Sequence, residues 1–319
     1  MGPKPASRCR RRPEPHAHPG STVREDSPVN RLPQQRTADE AIAVERFAVA
    51  YRTDAGLVPA VSDVSFALRR SERLAIVGES GSGKTTLAMA IAGLLSHDTA
   101  QIDYRMARVA GTPVDMRASS SVIPVRHEGV SMIFQDAMTS LDPVATIGHQ
   151  FRSVLGAHGG SRRSRIRSES LQWIERVGIP NPQRVLKLRP YELSGGMRQR
   201  VMIALALCSD PAVLIADEPT SALDVVVSRR IMDLVLTLAV ELGTAVIVIT
   251  HDIDLARKYT DRMLVLYQGE VQDLCDTAGL AEEEHSPYTR ALLDCVPRLH
   301  DHDRESLPTL ARAVGREAS

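Results

Sequence analysis

Apolar and polar residues alternate along two stretches in the first third of the chain, residues 43–49 and 61–68. A period of two is typical of half-buried β-strands, and the turn-rich residues 53–56 separate the two stretches. Mostly apolar runs predict buried strands at residues 74–77, 130–134, 212–216 and 245–249. Helical patterns occur at residues 84–92, at 228–242 and from Asp254 onward. Strands that alternate with helices predict an α/β fold with a parallel, helix-flanked sheet.

The pattern between Thr139 and Arg200 is helical, with an amphipathic face over residues 168–177. The first 39 residues are rich in Pro, Arg, Ser and His and almost lack apolar side chains. A segment of that composition cannot bury enough apolar surface to fold, so we expect a disordered tail. The sequence therefore predicts a tail, an α/β unit and a helical insertion.

The stretch GESGSGKTT joins the strand at residues 74–77 to the helix that follows it. Its glycines accept backbone angles that other residues resist, and the positive end of the helix adds to an anion site. We expect Lys84 to reach the β- and γ-phosphates of a nucleotide and the Thr85 hydroxyl to ligate Mg²⁺. The predicted nucleotide-binding residues of this loop are Gly78, Glu79, Ser80, Gly81, Ser82, Gly83, Lys84, Thr85 and Thr86.

Composition narrows the possible partners. The 319 residues carry 39 basic and 39 acidic side chains, and this zero net charge gives no argument for nucleic acid as a partner. The four cysteines are widely scattered, which favours free thiols in a reducing compartment. No apolar signal segment opens the chain, and charged residues and a glycine interrupt the apolar residues 232–250. We therefore expect a soluble protein.

Polar side chains follow two of the predicted buried strands. Asp217 and Glu218 come directly after one, and His251 follows the next. At the carboxyl end of a sheet these residues would lie beside the phosphate loop. There Asp217 could hold Mg²⁺, Glu218 could polarise an attacking water and His251 could contact the γ-phosphate. The alternative for the acidic pair is that it caps the next helix.

A second helix start resembles an anion site. Ser194 is a natural N-cap, and Gly195 and Gly196 leave the first N–H groups of the helix open to a phosphate. Such a site has no use within one chain unless it serves a second nucleotide. Tyr51 lies before the phosphate loop in the sequence, where its ring could stack on an adenine, although a single Tyr more often packs in a core.

Five motifs occur in one order, and together they resemble the ATP-binding subunit of an ABC transporter over residues 42–297. They are GESGSGKTT, FQD from Phe134, LSGGMRQR from Leu193, LIADEPTSALD from Leu214 and ITHD from Ile249. The resemblance implies a phosphate-loop, RecA-like α/β core with an antiparallel β lobe and a helical lobe at residues 139–200 that presents the LSGGMRQR signature. The motifs HSPYTRALL at residues 285–293 and MTSLDP at residues 138–143 are similar to those of dipeptide, oligopeptide and nickel importer ATPases.

The resemblance also implies a role for individual residues. It assigns catalysis to Glu218, His251 and Gln135, Mg²⁺ binding to Thr85, Gln135 and Asp217, and adenine stacking to Tyr51. Through the signature it implies that Ser194, Gly195, Gly196 and Gln199 complete the ATP site of an opposing subunit, with Asp224 as a dimer contact. The cofactors expected are ATP and Mg²⁺.

The implied partners are membrane permease subunits, a second ATPase subunit of the same or a related sequence, and indirectly a solute-binding protein. The place of action would be the cytoplasmic face of the membrane. Residues 275–297 would form a family-specific C-terminal segment, with tails at residues 1–41 and 298–319. Relatives often hold an iron–sulfur cluster in a cysteine-rich C-terminal segment, whereas only Cys275 and Cys295 are present here. A soluble ABC-type ATPase, such as a subunit of a phosphonate-degrading complex, is the alternative.

Overall fold

The computed structural model describes residues 39–117, 127–135, 140–157, 163–220, 224–280 and 284–295. Nearly all of the expected N-terminal tail and all of the C-terminal tail lie outside these ranges. The strands are β1 Glu40–Thr53, β2 Gly56–Arg69, β3 Arg73–Val77, β4 Ala100–Asp103, β5 Met106–Val109, β6 Thr112–Pro113, β7 Val130–Ile133, β8 Val213–Asp217, β9 Ala245–Thr250, β10 Arg262–Tyr267 and β11 Glu270–Asp276. The helices are α1 Lys84–Ile91, α2 Ile147–Ala157, α3 Arg163–Arg176, α4 Pro182–Val185, α5 Gly195–Leu207, α6 Val225–Leu242, α7 Ile253–Tyr259 and α8 Pro287–Asp294, with a 3₁₀ turn at Pro190–Glu192.

An antiparallel sheet forms the first layer. Strands β1 and β2 make a hairpin whose turn closes at the pair Thr53 and Gly56, and β4 and β5 pair with the other edge of β1. Both hairpin strands are longer than the alternating pattern predicts, because backbone pairing continues through residues that do not alternate. β1 begins at Glu40, two residues before the expected domain boundary. That carboxylate is 9% exposed and accepts two 2.8 Å hydrogen bonds from Arg108 on β5.

A second, six-stranded sheet carries the α/β core, in the order β7-β8-β9-β3-β10-β11. The five strands from β7 through β8, β9 and β3 to β10 run parallel to one another. Strand β11 pairs antiparallel with β10 at the edge of the sheet. The four predicted buried strands are confirmed to within about one residue, and the α/β fold class with them. Strands β10 and β11 are additional, although the apolar run at residues 263–266 followed by Gln268-Gly269 is a hairpin signal in the sequence.

Helices α2 to α5 form the helical lobe that the pattern between residues 139 and 200 predicts. Its last helix begins at Gly195 and continues past residue 200 to Leu207. Buried residues of α2, α3 and α5 pack together with residues of β7 and β8, so the lobe and the sheet share one hydrophobic cluster. This continuity fixes the start of α5 relative to the end of β8.

The apolar stretch at residues 232–250 has the structure that its interruptions predict. It contains the end of α6, a turn at Gly243 in the left-handed conformation (φ +67°) and then β9. Across the described ranges, no helix is long and apolar enough to cross a lipid bilayer.

Candidate active site

Polar side chains collect where the parallel strands end. The loop after β3, Gln135 after β7, the residues that end β8 and His251 after β9 all meet at one edge of the sheet. They surround a cleft of about 900 Å³, a volume in the range of small-molecule sites. The residues that line it are Tyr51, Pro59, Ala60, Ser80, Gly81, Gly83, Lys84, Thr85, Thr86, Gln135, Asp217, Glu218, His251 and Gln268.

The phosphate loop needs glycine at two of its positions. Gly78 has φ +154°, and a Cβ there would collide with the carbonyl oxygen of Leu266 on β10. Gly83 has φ +101°, and a Cβ would lie 2.5 Å from the carbonyl oxygen of Ala60 on β2. Both sheets therefore press against the loop, which holds its backbone in a conformation that leaves N–H groups at the start of α1 directed to the cleft.

Lys84 lies beneath this loop and is 7% exposed. Its Nζ donates to the carbonyl oxygens of Gly78 at 2.8 Å and Glu79 at 2.6 Å. Burial lowers the pKa of Lys84, while the nearby carboxylates of Glu218, Asp217 and Glu79 act in the opposite direction. The ammonium is thus a partly desolvated positive charge at the wall of the cleft, where it attracts an anion more strongly than a solvated lysine does.

Asp217 and Thr85 are adjacent across the cleft floor. The Thr85 Oγ1 donates to Asp217 Oδ1 at 3.4 Å, and Asp217 is 6% exposed. Burial raises the pKa of Asp217, and the neighbouring Glu218 carboxylate adds to that rise. A buried carboxylate beside a hydroxyl is an unfavourable arrangement for an empty site and a suitable one for a hard cation, which prefers oxygen ligands.

The three predicted catalytic residues meet at Glu218. Its Oε2 accepts from Gln135 Nε2 at 3.3 Å, and its Oε1 lies 3.0 Å from His251 Nδ1. Glu218 has φ +43°, a left-handed conformation that is uncommon for a residue with a Cβ. Its backbone N–H donates to the carbonyl of Ile249 at 3.0 Å, which ties the end of β8 to β9. A carboxylate is therefore held between an amide and an imidazole at the mouth of the cleft.

Tyr51 reaches the same cleft from β1. Its hydroxyl lies 3.1 Å from the Thr86 Oγ1, so the ring stands beside the start of α1. Sequence reasoning missed Gln268, which also lines the cleft, and its neighbour Gly269, whose N–H donates to the Ser82 carbonyl at 3.0 Å. The turn between β10 and β11 thus contacts both the phosphate loop and β2, where the Ser62 N–H donates to the Gly269 carbonyl at 2.8 Å.

The signature lies away from this cleft. Ser194 caps α5 as predicted, its Oγ accepting from the Met197 N–H at 3.3 Å. Gly195 and Gly196 are exposed, and a Cβ on either would meet nothing within 4 Å. The contact of Gln199 with the ATP of an opposing subunit stays a prediction. Its side chain is 7% exposed in the single chain and donates through Nε2 to the Pro219 carbonyl at 2.6 Å. It faces the protein interior because it lies about one helical turn past the cap, on the side of α5 that packs on the sheet.

Asp224 also acts within the chain. Its Oδ1 accepts from the N–H groups of Val226 and Val227, at 3.0 and 2.9 Å, and so caps α6. The helix-capping alternative that the sequence left open for Asp217 and Glu218 therefore applies to a different aspartate.

Comparison with known proteins shows which protein family this chain matches. Residues 61–221 match the family model described as ABC transporter. The chain is 42% identical over 267 residues to proteins named glutathione import ATP-binding protein GsiA, from Escherichia coli (strain K12) and from Shigella flexneri. The matched region covers 82% of this chain and 43% of those proteins, so the chain spans less than half the length of the curated relatives it matches.

Solved structures give the same comparison in three dimensions. The structure of cbiO1 from Clostridium perfringens, described as part of the ABC transporter complex cbiONQ, aligns with a TM-score of 0.60 and 29% identity, over 77% of this chain and 92% of that one. The dimeric structure of MJ0796, described as a bacterial ABC transporter cassette, aligns with a TM-score of 0.61 and 26% identity, over 74% of this chain and 98% of that one. Another dimeric MJ0796 structure, described as a post-hydrolysis state bound to ADP and Pi, aligns with a TM-score of 0.56.

Proposed function

Because this chain belongs to the ABC transporter family, we propose that it is the ATP-hydrolysing subunit of an ABC importer. The observation that carries the proposal is the position of Glu218. It is held between Gln135 and His251, next to the phosphate loop, with Lys84 and Asp217 on the walls of the same cleft. This is the set of groups that phosphoryl transfer to water requires: a phosphate grip, a cation site and a base.

The phosphates of ATP bind at the start of α1 in this proposal. The loop N–H groups of residues 80–86 and the Lys84 ammonium take the β- and γ-phosphates. Lys84 is already directed by two backbone carbonyls, so little side-chain entropy is lost on binding. The adenine lies toward Tyr51, whose ring stands beside Thr86.

The residues present fit Mg²⁺. Thr85 Oγ1 and Asp217 Oδ1 are oxygen donors 3.4 Å apart, and Gln135 enters the cleft from β7. Among the described residues no group of three or more His, Cys, Asp or Glu could hold a metal ion. That agrees with Mg²⁺, which is usually bound through one or two carboxylates together with phosphate and water oxygens. When bound, Mg²⁺ would neutralise charge on the phosphates during transfer.

Glu218 is the general base. It orients the attacking water and accepts its proton, while His251 on its other oxygen stabilises the arrangement near the γ-phosphate. Gln135, which follows directly after β7, donates to the second carboxylate oxygen of Glu218.

The working unit is a pair of ATPase subunits on permease partners, at the cytoplasmic face of the membrane. The exposed end of α5, with Ser194, Gly195 and Gly196, completes the ATP site of the opposing subunit. Closure of the pair over ATP and reopening after hydrolysis drive solute movement through the permeases. A separate solute-binding protein would deliver the solute.

The solute is a small peptide in this proposal. Two observations support it: the HSPYTRALL segment, similar to that of peptide and nickel importer ATPases, and the similarity to glutathione import ATP-binding proteins, since glutathione is itself a short peptide. The second candidate function is a soluble ABC-type ATPase, such as a subunit of a phosphonate-degrading complex. Purification with two hydrophobic permeases would favour the importer.

The test compares two variants of the full chain. Glu218→Gln removes the base and nearly keeps the shape, so ATP turnover should fall by at least about a hundredfold while binding persists. ATP should then hold the subunits together, because reopening is lost. Lys84→Ala should instead weaken ATP binding itself and prevent closure. Nucleotide affinity, turnover and ATP-dependent association of both variants are the measurements.

Turnover by Glu218→Gln near the parental rate would contradict the catalytic role of that residue. Loss of ATP binding to the same degree as in Lys84→Ala would contradict the separation of base from phosphate grip.

A further inference from the structure

A tyrosine near the C-terminal end of the chain contacts the phosphate loop. Tyr288 lies on α8 and is 5% exposed. Its Oη accepts a hydrogen bond from the backbone N–H of Glu79, with 3.4 Å between nitrogen and oxygen. The contact joins residues 209 positions apart in the sequence, and it places a side chain of the HSPYTRALL segment against the loop proposed to bind ATP.

The N–H that Tyr288 holds belongs to the peptide unit between Gly78 and Glu79. The carbonyl at the other side of that unit, on Gly78, accepts from Lys84 Nζ at 2.8 Å. A peptide unit is planar, so an interaction that fixes the direction of its N–H also fixes the direction of its carbonyl. One rigid group therefore connects the Tyr288 hydroxyl to the Lys84 ammonium.

Gly78 has no side chain that could restrain its backbone, although Leu266 packs closely against it. Its φ of +154° belongs to a region that only glycine occupies readily, and glycine can rotate between several such states. A hydrogen bond on the adjacent peptide is thus an effective way to select one of them. The long 3.4 Å distance makes it a weak bond, suited to a modest adjustment of orientation.

Tyr288 is itself held by the edge of the parallel sheet. Its ring packs on Tyr267 of β10, with centroids 4.2 Å apart, and β10 pairs with the strand that leads into the loop. At the start of α8, Ser286 caps the helix by accepting from the Thr289 N–H at 3.2 Å. The Ser286 N–H donates to Asp273 Oδ2 on β11 at 3.0 Å. These contacts with β10 and β11 therefore fix the position of the Tyr288 hydroxyl.

We propose that Tyr288 is a positioning residue for nucleotide binding, orienting the Gly78–Glu79 peptide and through it the Lys84 ammonium. The inference rests on the proposed ATP site. It gives the C-terminal segment a function inside that site, in which Tyr288 acts through Lys84 and does not itself touch the phosphates.

The experiment measures Mg²⁺–ATP affinity of the full chain by calorimetric titration. Tyr288→Phe keeps the ring and its packing on Tyr267 and removes only the hydroxyl. It should weaken ATP binding by about two- to tenfold, the effect of one hydrogen bond. The matched control is Tyr259→Phe, which removes another buried hydroxyl, one that has no hydrogen-bond partner among the described residues. The control should bind ATP as the parent chain does.

A second measurement separates positioning from general loosening. Amide hydrogen exchange at Glu79, followed without nucleotide and well below the melting temperature, should be faster in Tyr288→Phe and unchanged in Tyr259→Phe. Parental affinity and exchange in Tyr288→Phe, or equal weakening in both variants, would overturn the inference while leaving the ATP site intact. Failure of the parent chain to bind ATP would overturn the proposed function itself.

Discussion

The chain contains two glycine-rich helix starts, at α1 and at α5, and they differ in what surrounds them. At α1, Gly78 and Gly83 adopt positive φ angles and are packed so closely that neither has room for a Cβ. The side chain beneath them, Lys84, is buried. At α5, a Cβ on Gly195 or Gly196 would meet no atom within 4 Å. One helix start is enclosed by its own chain, and the other is exposed.

This difference in packing indicates why glycine occupies the positions at each helix start. In the α1 loop, glycine is required by backbone conformation and by the close packing of β10 against Gly78 and of β2 against Gly83. In α5 both glycines are helical residues, where glycine lowers helix stability relative to alanine. Within the described residues, no contact at these glycines compensates for the lower helix stability. The absence of side chains at α5 is understandable if a phosphate approaches from another molecule, as the proposed pair of subunits requires.

The largest expected effect comes from blocking the open helix start. Ser194→Arg places a long, charged side chain at the exposed end of α5, while the α1 loop lies elsewhere and should still bind ATP. Hydrolysis at the site that α5 completes should fall by about a hundredfold or more, the usual cost of losing donors that stabilise transferred charge. The measurements are turnover in the assembled transporter and ATP affinity of the single subunit.

Ser194→Thr is the matched control, since threonine also caps helices, and it should keep most of the activity. Full hydrolysis of ATP by the monomer, at a rate per molecule independent of concentration, would contradict the proposal that the exposed start of α5 completes the ATP site of a second subunit.

An intermediate effect should come from adding one methyl group at each helix start. Gly83→Ala forces a Cβ toward the Ala60 carbonyl at a φ of +101°, so it should destabilise the subunit, on the order of 1–3 kcal/mol. Gly196→Ala adds the same group in open space within a helix and should stabilise the free subunit by about 0.5–1 kcal/mol. Chemical denaturation of both variants gives the two free energies of unfolding. Changes of the same sign would refute the contrast.

Much of this arrangement could be predicted from the sequence, for local reasons. The sequence predicts the buried strands from their mostly apolar runs, and the helix cap at Ser194 because capping depends on one residue and its next few neighbours. The approach of Glu218 and His251 follows from strand ends in a parallel sheet, whereas the position of Gln135 is expected only from the family resemblance.

What sequence reasoning missed depends on contacts between distant segments. The inward direction of Gln199 is set by the Pro219 carbonyl, twenty residues away, and no motif records which way a side chain points. The contact of Tyr288 with Glu79 requires the antiparallel turn into β11 and the path of the chain to α8. The sequence shows an aromatic residue in a segment of its own, and only the fold brings it to the loop.

The smallest predicted effect is the pH dependence of stability that comes from Asp217, on the floor of the cleft beside the α1 loop. The direction of this dependence follows from the direction of the pKa shift. Burial raises the pKa of Asp217, and this direction already includes the opposing attraction of Lys84. A raised pKa means that the folded chain holds the proton more tightly than the unfolded chain. The free energy of unfolding therefore falls as pH rises from the unfolded pKa through the folded one. Near neutral pH the nucleotide-free subunit bears the full cost of the buried charge.

Asp217→Asn removes that charge at nearly constant shape. It should give the free subunit a slightly higher Tm than the parent chain near neutral pH. The difference should shrink as the pH falls from the raised pKa of the folded chain toward the ordinary aspartate pKa of about 3.9, and it should be absent below that value. Asp233→Asn, on an exposed position of α6, is the control and should change Tm little at any pH. Mg²⁺-dependent ATP binding by Asp217→Asn should be weakened in the same samples, since the proposed cation site loses its charged ligand. A lower Tm for Asp217→Asn near neutral pH would mean that the carboxylate stabilises the empty fold. The closed site would then be built for the stability of the fold, as well as for a ligand.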